Sequence, residues 1–424
     1  MGKRVKWPIA LFVVAMVLVS LASVYAAPVS IKFWYMAWGP NYEAVLKDII
    51  ANFEKANPGV NVQAEAVPWT GYVQKFRTAV EGKAAPDISE GSSYQPSFYA
   101  AKDEILPVDD IIAQWKKEGR LKDLVSENHK NWYLNGHYYA LPTQVDTRMV
   151  LYRKDMFEKA NVKVPANWDD FEAAAKKLTS GDTYGFVVRY SRTHGPQQFF
   201  LSLMLQNNTS IFDKKGRIVL KNPRTVQALK FMKRLWDDKV VPAGATGYQL
   251  DDARRVFLQG KAAMIFDTPL LIAQIAKEAP QLMDKVAVAP VMQGPAGKKG
   301  MSAWTNPIMI YKQSKHPAEA KAFLKYFTSP ENMRKIYNTG EYGYPVWKSM
   351  SDVPYYTKSE LSKYVVENLL PYGHDYSYPV GGSPIIPAIE EQWILTDMVI
   401  ETCISNVPPE TAIQNAINKI KQIR

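Results

Sequence analysis

The stretch that decides the fold begins with Ile31-Lys32-Phe33-Trp34-Tyr35. Val45, Leu46, Ile49, Ile50 and Phe53 then recur at helical spacing, Asn57-Pro58-Gly59 stops the helix, and a second strand runs from Val60 to Val67. Strand, helix and strand in succession form the unit of a doubly wound α/β sheet. The alternation continues outward from it. Val60, Val62, Ala64 and Ala66 share one face of the second strand, Tyr72, Val73, Phe76 and Val80 share one side of the next helix, and Pro86-Asp87-Ile88 opens another short strand. A second series starts after Ala140-Leu141-Pro142. Its strands are predicted at Met149 to Tyr152, Tyr184 to Val188, Ala262 to Phe266, Val286 to Pro290 and Ile308 to Tyr311. Its helices begin at Asn167 and at Asn222-Pro223, an asparagine cap before proline. From Pro317 onward the pattern is helical, ending in an amphipathic helix through Ala412, Ile413, Ala416, Ile417 and Ile420.

Several strands run into aromatic rings: the first to Trp38, the second to Trp69, and Tyr184 to Arg189 to Tyr190. In open α/β sheets ligands bind in the crevice beyond the carboxyl ends of the strands. A flat, weakly polar ring placed there can stack on the C–H face of a sugar. The pattern therefore points to a carbohydrate binder before any motif is matched.

Residues 1 to 26 have the build of a cleavable secretory signal: basic Lys3, Arg4 and Lys6, an apolar run from Ile9 to Val19, and small residues around Val24-Tyr25-Ala26. The run falls short of the roughly 20 residues that span a bilayer. No cysteine follows it, so neither a membrane anchor nor a lipoprotein is expected, and the chain is expected in the periplasm. Without these residues the formal charge falls from +11 to +8, because three basic and no acidic residues are lost. The remaining lysine pairs are scattered (Lys176-Lys177, Lys214-Lys215, Lys298-Lys299), where a nucleic-acid binder gathers them on one face. The single cysteine, Cys403, lies in an apolar segment and can form no internal disulfide. A chain of this length exceeds what one core organises, so two domains are expected.

No metal and no cofactor are expected. The five histidines show no His-Glu-x-x-His spacing, and no glycine-rich phosphate loop follows the first strand or precedes a Gly-Lys-Ser/Thr. Gly-x-Ser-x-Gly is also missing.

The ordered series Phe53-Glu54-Lys55-Ala56-Asn57-Pro58-Gly59-Val60, Gly82-Lys83-Ala84-Ala85-Pro86-Asp87-Ile88 and Asn135-Gly136-His137-Tyr138-Tyr139-Ala140-Leu141-Pro142 is followed by Leu151 to Phe157, Trp168-Asp169-Asp170-Phe171, Gly260 to Met264 and Ala318 to Phe327. It resembles the extracellular solute-binding proteins of ABC importers, in the sugar- and oligosaccharide-binding, maltose-binding-protein-like family 1. Arg153 stands where that family usually has asparagine, and Ala303-Trp304-Thr305-Asn306 where it often has a glycine-rich stretch. The resemblance implies the type II periplasmic-binding-protein fold, two α/β lobes joined by two or three hinge crossings around a ligand cleft. By analogy the crossings fall near 143–148, 303–307 and 328–331. The first lobe would hold 27–144 and 306–329, the second 145–305 and 330–424. Such a protein performs no chemistry. It is expected to be a monomer that delivers a sugar or oligosaccharide to the transmembrane subunits of an ABC permease.

The candidate ligand contacts follow from these two lines of reasoning. Trp38, Trp69 and Tyr190 are stacking candidates at strand ends, and Asp267 follows a buried-type strand that Pro269 forbids from continuing. Glu90 and Ser92 follow Ile88. Gln144, Asp146 and Arg148 sit in the polar string Thr143 to Arg148 at the first crossing. There the carboxylate can accept two sugar hydroxyls or pair with Arg148 to shape the hinge. Trp304 and Asn306 fall at the second crossing, and Tyr342 and Tyr344 flank Gly343 after the third. Two alternatives stay open. Asp146 and Asp267 facing each other would suit a glycoside hydrolase, whose carboxylates stand roughly 5 to 9.5 Å apart. Convergence of arginines among Arg148, Arg189 and Arg192 would suit an anionic polyol phosphate such as glycerol phosphate.

Overall fold

The structure, a computed structural model, describes residues 28–69, 71–125, 130, 132–380, 383 and 385–423. The signal-type segment 1–26 lies outside them. Among the described residues no helix is long and apolar enough to cross a membrane.

The opening stretch folds as its pattern requires. Val29–Met36 pairs in parallel with Val60–Val67 along its whole length and with Ile88–Glu90 on its other side. The helix Pro40–Ala56 between the first two strands buries Tyr42, Leu46, Ile49 and Phe53. Phe33, at the centre of the first strand, meets Phe323 and Phe327 of the helix Pro317–Phe327 edge-on at 5.5 and 5.6 Å. Val60–Val67 buries only Val62 and Val67. It is an edge strand, hydrogen-bonded on one side alone, so half its alternating apolar face stays near solvent.

Six strands make the first sheet, in the order Gly373–His374, Met301–Ile310, Ile88–Glu90, Val29–Met36 and Val60–Val67, with Leu141–Thr147 also paired to Met301–Ile310. A second sheet of four runs Val286–Val288, Met149–Arg153, Ala262–Asp267 and Tyr184–Val187. Helices Trp168–Leu178 and Pro223–Asp237 pack around it, capped by Asn167 and Asn222, whose side chains accept from Asp170 N–H and from Arg224 and Thr225 N–H. The pairing of Phe171 with Phe186 at 4.9 Å fixes one of these helices on the sheet. This is the two-lobe fold.

The passage between sheets is made by two antiparallel strands, Leu141–Thr147 and Met301–Ile310, in register from Ala303↔Thr147 to Ile308↔Leu141. Only Arg148 separates the first of them from Met149–Arg153 of the second sheet. All ten residues of Met301–Ile310 are buried where the strand runs between the halves. Its register shifts at Asn306/Pro307, a bulge at the proline that cannot donate to the ladder.

The expected lobe limits fall within the crossing strands. Limits at 144/145 and 305/306 cut this ladder in its middle. Residues just after 330 also bond to the crossing strand Leu141–Thr147: Tyr337 OH donates to Thr143 O at 2.5 Å, and Tyr344 and Val145 exchange backbone hydrogen bonds. Glu341 accepts from Tyr42 N–H and Asn41 Nδ2 at 2.9 Å each, placing a carboxylate at the start of the helix Pro40–Ala56. The orphan N–H groups and positive end of that helix favour an anion there.

One glycine shows how closely the second lobe is packed. A Cβ on Gly185 would stand 1.9 Å from Ala175 O, backbone of the helix laid against its strand. Gly185→Ala must push helix from sheet, and it is expected to cost about 1–3 kcal/mol or more. Urea unfolding measures this; an unchanged midpoint would show that the two elements are not in such contact.

Candidate functional site

A cavity of about 330 Å³ opens where the two sheets meet the crossing strands. The first lobe contributes Trp38, Trp69, Tyr72, Ser92, Ser93 and Tyr94. The crossing strands contribute Gln144, Val145, Asp146, Trp304 and Asn306, and the second lobe contributes Arg148, Arg189, His194, Gln198, Thr268, Pro269 and Leu270. Tyr344, Tyr355, Tyr356 and Glu390 complete the wall.

The aromatic side rests on a buried acid. Glu90, 1% exposed, accepts from Met36 N–H, Trp38 Nε1 and Tyr42 OH at 2.9 Å each and from Tyr342 OH at 2.5 Å. The two phenols stack at 4.9 Å and 9°, and Trp38 stands edge-on to Tyr342 at 5.5 Å and to Trp69 at 5.1 Å. Trp69, 37% exposed, continues to Tyr72 at 5.2 Å, whose hydroxyl meets that of Tyr94 at 2.6 Å. Trp38 thus has a fixed ring plane. Burial pushes the Glu90 carboxyl above the ordinary carboxylate range, while its four donors pull it back.

The opposite side is cationic. Arg148 Nε donates to Gln198 Oε1 at 2.8 Å, and Nη1 donates to Asp146 Oδ1 at 2.8 Å and Thr147 O at 2.9 Å. Its guanidinium lies 4.8 Å from the centre of the Trp304 ring. Gln198 and His194 are one turn apart on the helix His194–Gln206, so both reach the same wall. Solvent still reaches His194 from the cavity, but the crowding protein, together with Arg148 and Arg189, pulls its pKa down to about 4, leaving the ring neutral at pH 7. Gln144 is fully buried at the cavity floor, and among the described residues neither polar atom of its amide has a hydrogen-bond partner. Among the described residues no cluster of three or more His, Cys, Asp or Glu side chains fits a metal ion.

The profile of the bacterial extracellular solute-binding proteins matches residues 39–334. The chain belongs to that family. This solute-binding protein is 29% identical over 390 residues to a putative binding protein of Brucella abortus, covering 91% of this chain and 90% of the relative. It is 28% identical over 266 residues to the arabinooligosaccharide-binding protein of Bacillus subtilis, 60% of this chain and 59% of that one. Among solved structures, a sugar transporter from Arthrobacter chlorophenolicus with bound laminaribiose superposes with a TM-score of 0.83 at 24% identity, over 93% of this chain and 99% of that one. At that identity the likeness establishes the fold. The family consists of solute-binding proteins, not enzymes.

Of the residues singled out in the sequence, Trp38, Trp69, Ser92, Gln144, Asp146, Arg148, Trp304, Asn306 and Tyr344 line the cavity of this solute-binding protein. Four do not. Glu90 and Tyr342 stand behind Trp38, because the acid is fully used in holding rings. Tyr190, 1% exposed, turns into the second lobe, donates to Met232 O at 2.9 Å and packs on Trp236 at 5.2 Å. Asp267 is gripped by Arg254, Nε to Oδ2 at 2.9 Å and Nη2 to Oδ1 at 2.8 Å, and the cavity is reached instead by the next three residues. With Asp267 so engaged, Asp146 and Asp267 do not form the facing pair that hydrolysis requires. The sequence reading also missed Tyr72, Tyr94, Gln198, Tyr355, Tyr356 and Glu390. Gln198 was within reach of it, four residues after His194 on one helical face; the tyrosines carry no local mark.

The raised pKa of Glu90 has a sign. Its folded pKa lies above the unfolded one, so the protonated form is favoured by folding and stability is lost as pH rises through the folded pKa. Relative to E90Q, the wild type is expected to lose unfolding free energy as pH rises above the ordinary carboxylate range, because burial raises the Glu90 pKa. Chemical denaturation from that range upward tests it, and a difference that does not vary with pH would show an ordinary carboxyl.

Proposed function

We propose that this protein captures a sugar of one or two rings in the cavity between its lobes and presents it to the transmembrane subunits of an ABC permease. The carrying observation is the pairing of a ring wall with convergent polar groups. Trp38 and Trp69 offer faces for C–H stacking, while Asp146, Asn306 and Arg148 offer hydrogen bonds across the same space. A volume of about 330 Å³ is at the low end of small-molecule sites, which favours a short ligand over a long chain. The unpartnered Gln144 amide supports the same reading, since a buried amide without partners costs about 1–3 kcal/mol. Movement of the lobes about the crossing strands brings such groups within reach of a guest. The bound sugars named for the Arthrobacter structure and the Bacillus relative belong to the same chemical class. Export through a cleaved signal at residues 1–26 and action as a monomer in the periplasm complete the proposal.

Mass spectrometry of ligand released from freshly purified protein is expected to find a saccharide. Trp38→Ala and Trp69→Ala should each weaken its binding about tenfold or more, since burial and stacking of a ring are together worth about 1.5–3 kcal/mol. Titration followed by tryptophan fluorescence reads both. If no sugar shifts the emission or raises the melting temperature, the proposal fails.

A further inference from the structure

Arg189 lines the cavity, yet among the described residues its guanidinium makes no hydrogen bond and no ion pair. Its position is built rather than incidental. A Cβ on Gly195 would stand 2.7 Å from Arg189 Nε, so the arginine lies across the first turn of the helix His194–Gln206. That is the positive end of a thirteen-residue helix, whose cap Thr193 supplies no side-chain hydrogen bond. A cation there is opposed by the helix dipole unless an anion joins it.

The nearby carboxylates are committed elsewhere. Asp146 is held by Arg148, both oxygens of Asp267 are held by Arg254, and Glu390 is itself engaged. Among the described residues Arg148 Nη2 has no acceptor, its other two nitrogens being taken. Burial, opposed by Asp267 and reinforced by Arg148 and Arg254, pulls the Arg189 pKa down to about 10, so it stays charged at neutral pH. Arg192, by contrast, is exposed and paired with Asp397 outside the cavity.

We infer that the sugar taken up is acidic: a hexose unit bearing a carboxylate or a phosphate, with its anionic group on Arg189 and the start of the helix His194–Gln206. The inference rests on the sugar-receptor reading above. Guanidinium matches both anions by paired, charge-assisted hydrogen bonds that a hydroxyl cannot equal. The neutral ring face remains for Trp38 and Trp69.

Calorimetry on the full chain with hexoses and disaccharides, their matching uronates and their matching 6-phosphates tests it. At least one acid should bind tenfold or more tighter than its neutral parent, roughly the worth of a hydrogen bond to a charged group. The uronate and phosphate arms tell which anion the site prefers. R189Q should erase that advantage, weakening the acid by a larger factor than its neutral parent, with R189K recovering part of it. Added salt should weaken only the acid. If neutral parents bind as tightly as their acids, or R189Q weakens both alike, the acidic reading falls and the sugar reading stands. If no member of the panel binds, both fall.

Discussion

The Glu90 carboxylate is the interaction on which the first lobe's ligand wall depends. It collects donors from four places: the end of the first strand at Met36, the loop beyond it at Trp38, the first helix at Tyr42, and the returning chain at Tyr342. Hydrogen bonds to a charged acceptor are each worth about 1.5–3 kcal/mol, but the acid's burial opposes them. The net result is positional. An indole that would otherwise rotate on a loop is tied by its N–H, and the phenols behind it are stacked at 4.9 Å.

From this node the constraint spreads through the segment after residue 337. Tyr342 and Glu341 are neighbours, one fixing the ring wall and the other seated at the start of the helix Pro40–Ala56. Tyr344 then bonds to Val145 of the crossing strand, and Tyr337 to Thr143. The floor of the cavity and its aromatic wall are therefore coupled through one short stretch of chain. On the other side Arg148, the single residue between the crossing strand and the second sheet, ties Asp146 to Gln198 and covers Trp304. A residue at that junction bonds to the floor and to a second-lobe helix at once.

The two walls differ in kind. Aromatic rings offer stacking that tolerates many sugars, whereas directed charges discriminate. The first lobe brings rings to the cavity and the second brings guanidinium groups, so the two halves present different chemistry to the same space.

The sequence by itself determined what depends on periodicity and local chemistry. The strand-helix-strand opening, the caps at Asn167 and Asn222 and the rings beyond strand ends at Trp38 and Trp69 were all legible there, because each is written within a few residues; the crossing at Thr143 to Arg148 was legible only through the family resemblance. Tertiary structure decided what depends on partners distant in the chain. Tyr190 and Trp38 both follow strands, yet one finds Met232 O inside its lobe and the other is held at the cavity by Glu90, 52 residues away. Asp267 ends a strand as a ligand-binding acid can, but Arg254 on the preceding helix claims it. Which polar group is spent on its neighbours and which, like Arg189, lines the cavity with its donors unspent among the described residues is set by packing across the whole molecule, and no local pattern records that balance.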